Sequence, residues 1–435
     1  MENPPGIFLV GPSYPFRGGI SHYTTLLFDH LAEQCDVLFY TFRKQYVKCL
    51  FPGVDDRDHS EYRIVPLDRE APSAGKAETR KEIRRGLHPL NPLSWIEAGL
   101  EARRYPLILL PWWTVFWSPH YVLFLTVAKT KRNEVIFLCH NVEEHEGGYA
   151  KRLLSKVVLK QGNGFILHSR EEERRLRGLL GKECYTAVSH HPIYQVFNKN
   201  LYTRRSAREE LGIDPGQRVL LFFGFIRRYK GLPHLMQALP IVKAFDPKVL
   251  LLVVGEVWGG EGYYRELEGL IRGLGLEENI RFVNRYVRNE EVEPYFKASD
   301  FVVLPYTEGT GSGILQLSYA MERPVVATAI DTFKEIVEDG RTGLTVPPGN
   351  EKALAEAITR MCGPGVLPQM ESNIREFRKR FEWHYMVESI LSLYRQITQG
   401  EPPRANTEQV VQIKKSGVVR AGATRSSSTD KGPSP

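Results

Sequence analysis

Apolar and polar positions change period twice within the first forty residues. Ile7 to Val10 is an unbroken apolar run, and Gly11 to Gly19 (GPSYPFRGG) is a glycine- and proline-rich turn. From there Ile20, Tyr23, Leu27 and Leu31 recur at i, i+3, i+7 and i+11. The run predicts a buried strand, and the spacing predicts a helix over Ile20 to Ala32 with one face on a sheet. Val37 to Thr41 is the next strand, so the chain opens as a βαβ unit of the α/β class. Further strands are predicted at Leu107 to Leu110, Val135 to Cys139 and Gly164 to Leu167. After the last, Ser169 stands where a helix cap is needed, with Glu172 at the reciprocal position of a capping box. The alternation runs to about Val188.

A second series starts at Val219 to Phe223. It continues with a helix from about Leu232, a strand at Val249 to Val254, a helix from about Tyr263, and strands at Ile280 to Val283 and Phe301 to Leu304. The polar stretch at roughly 192–205 reads as the linker between the two series. A length of 435 residues suits two large domains at about 150 to 200 residues each. The first is expected over 1–195 and the second over 205–398. Asn373 to Thr398 reads as one closing helix. Residues 399–435, rich in Ser, Thr, Gly, Pro and basic side chains, read as a disordered tail.

Composition narrows the function classes. With 42% hydrophobic and 25% charged residues the chain is expected to be soluble and globular. Of the net charge of +7, the tail supplies three, through six bases against three acids. A folded body of about +4 suits an anionic ligand and argues against a nucleic-acid binder. The five cysteines are scattered without C-x-x-C spacing, which points to a reducing cytoplasm rather than a disulfide framework or a zinc site. MENPPGIFLVG has no basic leader before its short apolar run, so no export signal is expected.

Tyr105 to Ala128 holds 24 residues without Asp, Glu, Lys or Arg, but Pro106, Pro111, Pro119 and His120 interrupt it. It reads as a strand, a Trp-rich loop (Trp112, Trp113, Trp117) and a helix rather than a membrane span. The aromatic loop is a candidate for peripheral contact with a membrane surface.

Four segments carry candidate chemistry, each after a predicted strand. Gly18 and Gly19 end a loop that opens a helix, where backbone amides favour an anion; the spacing is not G-x-G-x-x-G. Gly224 to Gly231 (GFIRRYKG) places Arg227 and Lys230 where open α/β sheets bind ligands, with charge-assisted bonds to phosphate in reach. Arg228 reads as their solvated neighbour. Pro305 to Gly313 (PYTEGTGSG) exposes the amides of Thr310, Gly311, Ser312 and Gly313 at a helix start, a second cradle for the same anion. Glu308 is placed to accept from sugar or ribose hydroxyls, although a solvent-exposed loop carboxylate accounts for it equally. His140, with Asn141 to Glu146 after it, faces the same cleft from the first domain, or is simply structural.

Together these pieces resemble the retaining glycosyltransferase family 4, the "group 1" transferases of the GT-B fold. The likeness covers residues 7 to about 395. Its most specific stretch is Pro324 to Ile358, PVVATAIDTFKEIVEDGRTGLTVPPGNEKALAEAI, whose own pattern reads as a strand, an acidic helix around Glu335 to Glu338, an Asp-Gly turn and a strand at Leu344 to Val346. The resemblance implies two Rossmann-like domains facing across a cleft. It assigns Gly18 and Gly19 to the loop near donor phosphate and acceptor, Arg227 and Lys230 to the donor pyrophosphate, and His140 to the side of the donor sugar.

It also implies transfer with retention from a nucleotide sugar to a glycan or lipid-linked acceptor, with no cofactor and no metal. Two departures stand out. The two glutamates usual before the P-V-V-A segment are replaced by Gly309 and Leu317, with Gln316 eight beyond Glu308. Arg227 lies three before Lys230 rather than five or six. The acceptor is expected near Trp112, Trp113 and a basic helix carrying Arg80, Lys81, Arg84 and Arg85. The missing pair keeps two alternatives open: a non-catalytic sugar-nucleotide-binding scaffold and a sugar-nucleotide epimerase.

Overall fold

The computed structural model describes residues 4–46, 56–64, 79–143, 148–181, 183–309 and 311–403. Thr310, Glu144 to Glu146, Cys49 and most of the expected tail lie outside the described residues. The first α/β series forms β1 (Ile7–Gly11), α1 (Gly19–Leu31), β2 (Val37–Phe42), β3 (Lys81–Leu87), α2 (Pro92–Ala102), β4 (Leu107–Trp112) and α3 (Ser118–Ala128). It continues with β5 (Glu134–Cys139), α4 (Tyr149–Leu159), β6 (Gly164–Leu167), α5 (Arg170–Leu180) and β7 (Tyr185–Val188).

The second series opens with α6 (Arg204–Glu210), β8 (Arg218–Phe223), α7 (Leu232–Phe245), β9 (Val249–Val254), α8 (Gly260–Gly273), β10 (Ile280–Val283) and α9 (Asn289–Ala298). It closes with β11 (Phe301–Leu304), α10 (Gly313–Ala320), β12 (Val325–Thr328), α11 (Asp331–Ile336), β13 (Gly343–Val346), α12 (Glu351–Met361), α13 (Val366–Phe377) and α14 (Trp383–Thr398).

Each series builds one parallel sheet, in the orders β3-β2-β1-β4-β5-β6-β7 and β10-β9-β8-β11-β12-β13. The strand order reverses between β1 and β4 and again between β8 and β11. At such a point the crossovers diverge and leave a crevice beyond the carboxyl ends of the strands. Most strands are buried along their whole length, which is why they read as continuous apolar runs. Alternate residues still divide: Ile7 and Leu9 face the core shared by the two domains, while Phe8 and Val10 face the opposite side of their sheet.

Five expectations need correction. Arg80 and Lys81 to Arg85 do not form a basic helix. Lys81–Leu87 is the edge strand β3, where charges such as Lys81 (paired with Asp29) and Arg84 (paired with Glu82) blunt an exposed edge. The strand β4 runs on through Pro111 to Trp112, because its ladder to β1 ends at Leu109 and the ring of Pro111 sits beyond it against Gly11. Trp112 and Trp117 are therefore core residues rather than a surface loop. The reciprocal half of the capping box at Ser169 is not made: Ser169 accepts from the Glu172 amide, but the Glu172 carboxylate accepts from Val142 and Arg175. The acidic helix α11 ends at Ile336, before Glu338.

The expected single closing helix is also two, broken at Arg378–Phe381, with Glu382 extended. The break is where the chain crosses back to the first domain. Ile193 donates to the Phe381 carbonyl at 2.9 Å and Trp383 Nε1 donates to the Ile193 carbonyl at 3.1 Å. Beyond it α14 lies against β5, β6 and β7, with Ile397 and Leu393 seated over Gly164.

Within the second domain the loop after β8 and the loop after β11 touch through their backbones. Gly231 adopts φ +68, and a Cβ built there would lie 1.9 Å from the Pro305 carbonyl oxygen. The Thr307 amide donates to the Tyr229 carbonyl at 2.8 Å, closing the same seam. Gly231→Ala is expected to cost about 2–4 kcal/mol, since backbone conformation and backbone contact are both violated. Gly275→Ala, at φ +62 with nothing within 4 Å, should cost about 1 kcal/mol. Urea midpoints at constant m-value measure both, and equal losses would show that the seam does not matter.

Candidate active site

A cavity of about 270 Å3 lies between the domains at the carboxyl ends of the strands. The first domain contributes Gly18, Gly19 and His22 from the start of α1, and the connection contributes Tyr194 and Phe197. The second domain contributes Gly224, Lys230, Glu256, Tyr286 and Asn289, together with Gly311, Ser312 and Gly313.

Lys230 is the centre of charge. It ends the short turn Arg228–Lys230, only 8% exposed, and its ammonium sits over the Cα of Gly224, where a Cβ would come within 3.4 Å of Nζ. The Tyr306 ring centroid is 5.7 Å from Nζ. No carboxylate among the described residues comes within ion-pair distance of it. Burial, with Arg227 nearby, pushes its pKa down to about 7. Facing it, Ser312 caps α10 by accepting from the Ile314 amide at 3.2 Å, and its hydroxyl lies 3.1 Å from Tyr306 Oη. The lysine and the positive end of α10 thus border one space.

The other expected residues divide. Gly18, Gly19, Gly311, Ser312 and Gly313 line the cavity with Lys230. Arg227 stands beside it, half-buried, with its guanidinium 4.5 Å from the Trp258 ring centroid. Arg228 points away, paired with Glu266 at 2.7 and 3.1 Å. Glu308 is exposed and is not among the lining residues. Gln316 is fully buried in α10 and does not reach the cavity either.

His140 lies outside the cavity wall in a buried group with Tyr23, His168 and His191, its ring centroid 4.6 Å from Tyr23 and 5.1 Å from His168. Burial lowers the pKa of each histidine: His168 to about 3, His191 to about 4, and His140 well below its ordinary value. The group meets the cavity at Tyr194, whose hydroxyl lies 3.3 Å from His191 Nε2. Its histidines follow neighbouring strands, since Cys139 pairs with Leu167 and Leu167 with Val188, so residues just past those ends converge.

His22 and Tyr286 were not expected. Both approach one buried carboxylate, Asp58: Tyr286 donates to it at 3.0 Å, and His22 Nε2 is 3.7 Å away. Burial alone would raise the Asp58 carboxyl, but the nearby His22 imidazole and hydrogen bonds from the Ser60 hydroxyl and amide hold it down to about 2. Ser60 Oγ accepts from the Asn289 amide at 2.8 Å, and the Arg17 guanidinium lies 4.4 Å from the Tyr286 ring centroid. A polar clasp therefore joins the domains at the cavity's edge. No local pattern in the sequence pairs Asp58 with Tyr286, 228 positions apart.

Among the described residues no group of three or more His, Cys, Asp or Glu is arranged to hold a metal ion, and no helix is long and apolar enough to cross a membrane.

Comparison with known proteins matches residues 217–363 to the family model described as Glycosyl transferases group 1. The D-inositol 3-phosphate glycosyltransferase of Actinosynnema mirum is 32% identical over 246 residues, covering 55% of this chain and 58% of that one. The chain spans about half the length of this and similar curated relatives. Among solved structures, the sucrose-phosphate synthase of Thermosynechococcus elongatus superposes with a TM-score of 0.68 at 20% identity, covering 91% of this chain and 99% of that one. Anabaena HepE in complex with UDP-glucose superposes with a TM-score of 0.65 at 19% identity, covering 91% and 99%. The two facing Rossmann-like domains are those of the GT-B fold.

The position of Lys230 makes anion binding pH-dependent. Below about pH 7 the ammonium meets an anion already charged; above it a proton must be taken up on binding, so affinity falls as pH rises. Titration calorimetry with inorganic pyrophosphate at pH 6 and 8.5 should show the advantage of the wild-type chain over Lys230→Gln shrinking at the higher pH. An advantage equal at both values would contradict this.

Proposed function

We propose that the chain transfers a sugar, with retention, from a nucleotide-diphosphate sugar to an acceptor hydroxyl in glycan, polysaccharide or glycolipid assembly. The observation that carries this reading is the buried Lys230, without a carboxylate partner among the described residues, opposite the start of α10 in a cavity at the strand-order reversal. Such a place suits a diphosphate, which would return the lysine to its charged form. The match of residues 217–363 to the group 1 transferases supports it, as does the fold shared with a protein crystallised with UDP-glucose.

In this reading the donor diphosphate lies on Lys230 and the amides of Gly311 to Gly313, with Thr310 in the same loop and Arg227 swinging from Trp258 to complete the contact. Neutralising the phosphate lowers the cost of the charge that grows on the leaving group as the glycosidic bond breaks. Lys230 and Arg227 do the work for which a divalent cation is otherwise needed, so the reaction is metal-independent and needs no cofactor. The acceptor hydroxyl attacks from the face the diphosphate leaves, and its proton passes to the departing phosphate oxygen.

The second domain holds the donor. The first holds the acceptor along Gly18, Gly19 and His22, with His140 supporting that wall through His191 and Tyr194. Glu308, at the rim, reaches the sugar's hydroxyls only if its loop folds inward. The buried thiols of Cys35, Cys139 and Cys184 suit a reducing compartment, and we place the reaction in the cytoplasm.

Lys230→Ala is expected to lower affinity for the donor about 10- to 150-fold, the range of one lost charge-assisted bond, and Arg227→Ala to lower turnover more than affinity. A panel of nucleotide sugars screened by thermal shift identifies the donor, and product anomers read by NMR report retention. Donor binding and turnover untouched in both variants would end this mechanism. Binding without turnover of any donor with any acceptor would point to a scaffold, and donor conversion without an acceptor to an epimerase.

A further inference from the structure

The first sheet is covered on one side by α1 and α14 and on the other by α2, α3, α4 and α5, which pack side by side. Gly99 of α2 brings that helix against Val127 of α3, and α3 in turn contacts α4. The outward side of this layer is unusually apolar at α3 and α4. Tyr149 is 84% exposed, and Leu153 (50%) and Val157 (45%) follow it at i+4 and i+8, so the three form one stripe along α4. Val122 and Leu123 of the neighbouring α3 are half-exposed, while on α2 the exposed Leu93 (63%) and Leu100 (52%) have the exposed Glu97 between them. An exposed apolar patch of this kind marks a surface that meets something.

Charge says what. Neither α3 nor α4 contains an acidic residue, unlike α2, and the far edge of the α3–α4 pair is basic. Lys156 and Lys160 flank the α4 stripe, while Lys131 and Arg132 lie in the turn after α3. The Lys129 ammonium reaches the Gln161 carbonyl at 2.7 Å, so that turn lies beside the end of α4. Apolar side chains along a helix with lysines next to them suit the headgroup boundary of a bilayer, where the apolar face enters and the ammonium groups stay with anionic lipid.

We propose that the α3–α4 face docks the protein on an anionic membrane surface without crossing it. Trp112 and Trp117 are buried in the core and take no part in the contact. The proposal does not require the transfer reaction: a chain that transferred nothing would still bind vesicles.

The test is co-sedimentation of the full chain with vesicles of phosphatidylcholine alone or with 30% phosphatidylglycerol, roughly the anionic content at which a surface potential steers basic segments. Binding is expected to the mixed vesicles and not to the neutral ones. Lys156→Gln with Lys160→Gln should weaken it roughly thirty-fold, and Leu153→Ser with Val157→Ser should weaken it roughly tenfold or more. All four residues lie at the surface, so the variants should keep the thermal midpoint, and an exposed site elsewhere such as Lys248→Gln should change nothing. The proposal is overturned if the wild-type chain ignores the mixed vesicles or if both double variants bind as well as it does. It is equally overturned if light scattering finds a dimer that Leu153→Ser with Val157→Ser dissolves, because the face would then belong to a second copy.

Discussion

The contact of Gly231 with the Pro305 carbonyl governs the geometry of the cavity. The crossovers from β8 and β11 diverge, and two loops that only happened to be neighbours would be free to splay. Pressed together through their backbones, with Thr307 bonded to Tyr229, they leave the Lys230 stem no path but inward over Gly224. The ammonium is then desolvated before any ligand arrives, and the protein meets that cost by letting its proton go near neutral pH. Groups positioned before the charge appears need not reorganise when it does.

That constraint is visible in the sequence only in part. GFIRRYKG and TGSG each follow an apolar run and precede a helical pattern, so their place at the carboxyl ends of strands was legible, as were most of the strands themselves. Strand β3 was not: KEIRRGL has no apolar run because an edge strand with one solvated side does not need one. The break between α13 and α14 was hidden because helical periodicity persists on both sides of it, and what forces it is a bond to Ile193, almost two hundred residues earlier. Lys230 was found from its loop alone. The resting place of Arg227 on Trp258, the burial of His140 among other histidines and the role of Asp58 all depend on partners that only the folded chain brings near.

The two domains are joined by contacts of different kinds. On one side Ile193, Phe381 and Trp383 make a dry pivot, sealed by two hydrogen bonds, and the chain crosses there twice. On the other Asp58, Ser60, Tyr286 and Asn289 make a polar clasp beside the cavity. Apolar contacts in a pivot resist separation, whereas hydrogen bonds at a cleft's edge can be exchanged for bonds to water at small net cost. The cleft therefore has one edge built to hold and one that can let go, which is what passage of a substrate between two domains requires.

The apolar face and the cavity are set by the same chain geometry. In a parallel sheet each helix that follows a strand begins at the strand's carboxyl end, so the first turns of α3 and α4 lie at the level of the cavity and their last turns at the opposite end. Tyr149 is thus at the cavity end of the stripe and Lys160 at the far end. A bilayer that engages the stripe runs alongside the cleft rather than across its mouth, so water-soluble nucleotide keeps open access while the first domain is held at the surface. An acceptor carried in that surface would have to travel only the width of one helix layer and one sheet to reach Gly18 and His22, about 10 Å for each packed layer.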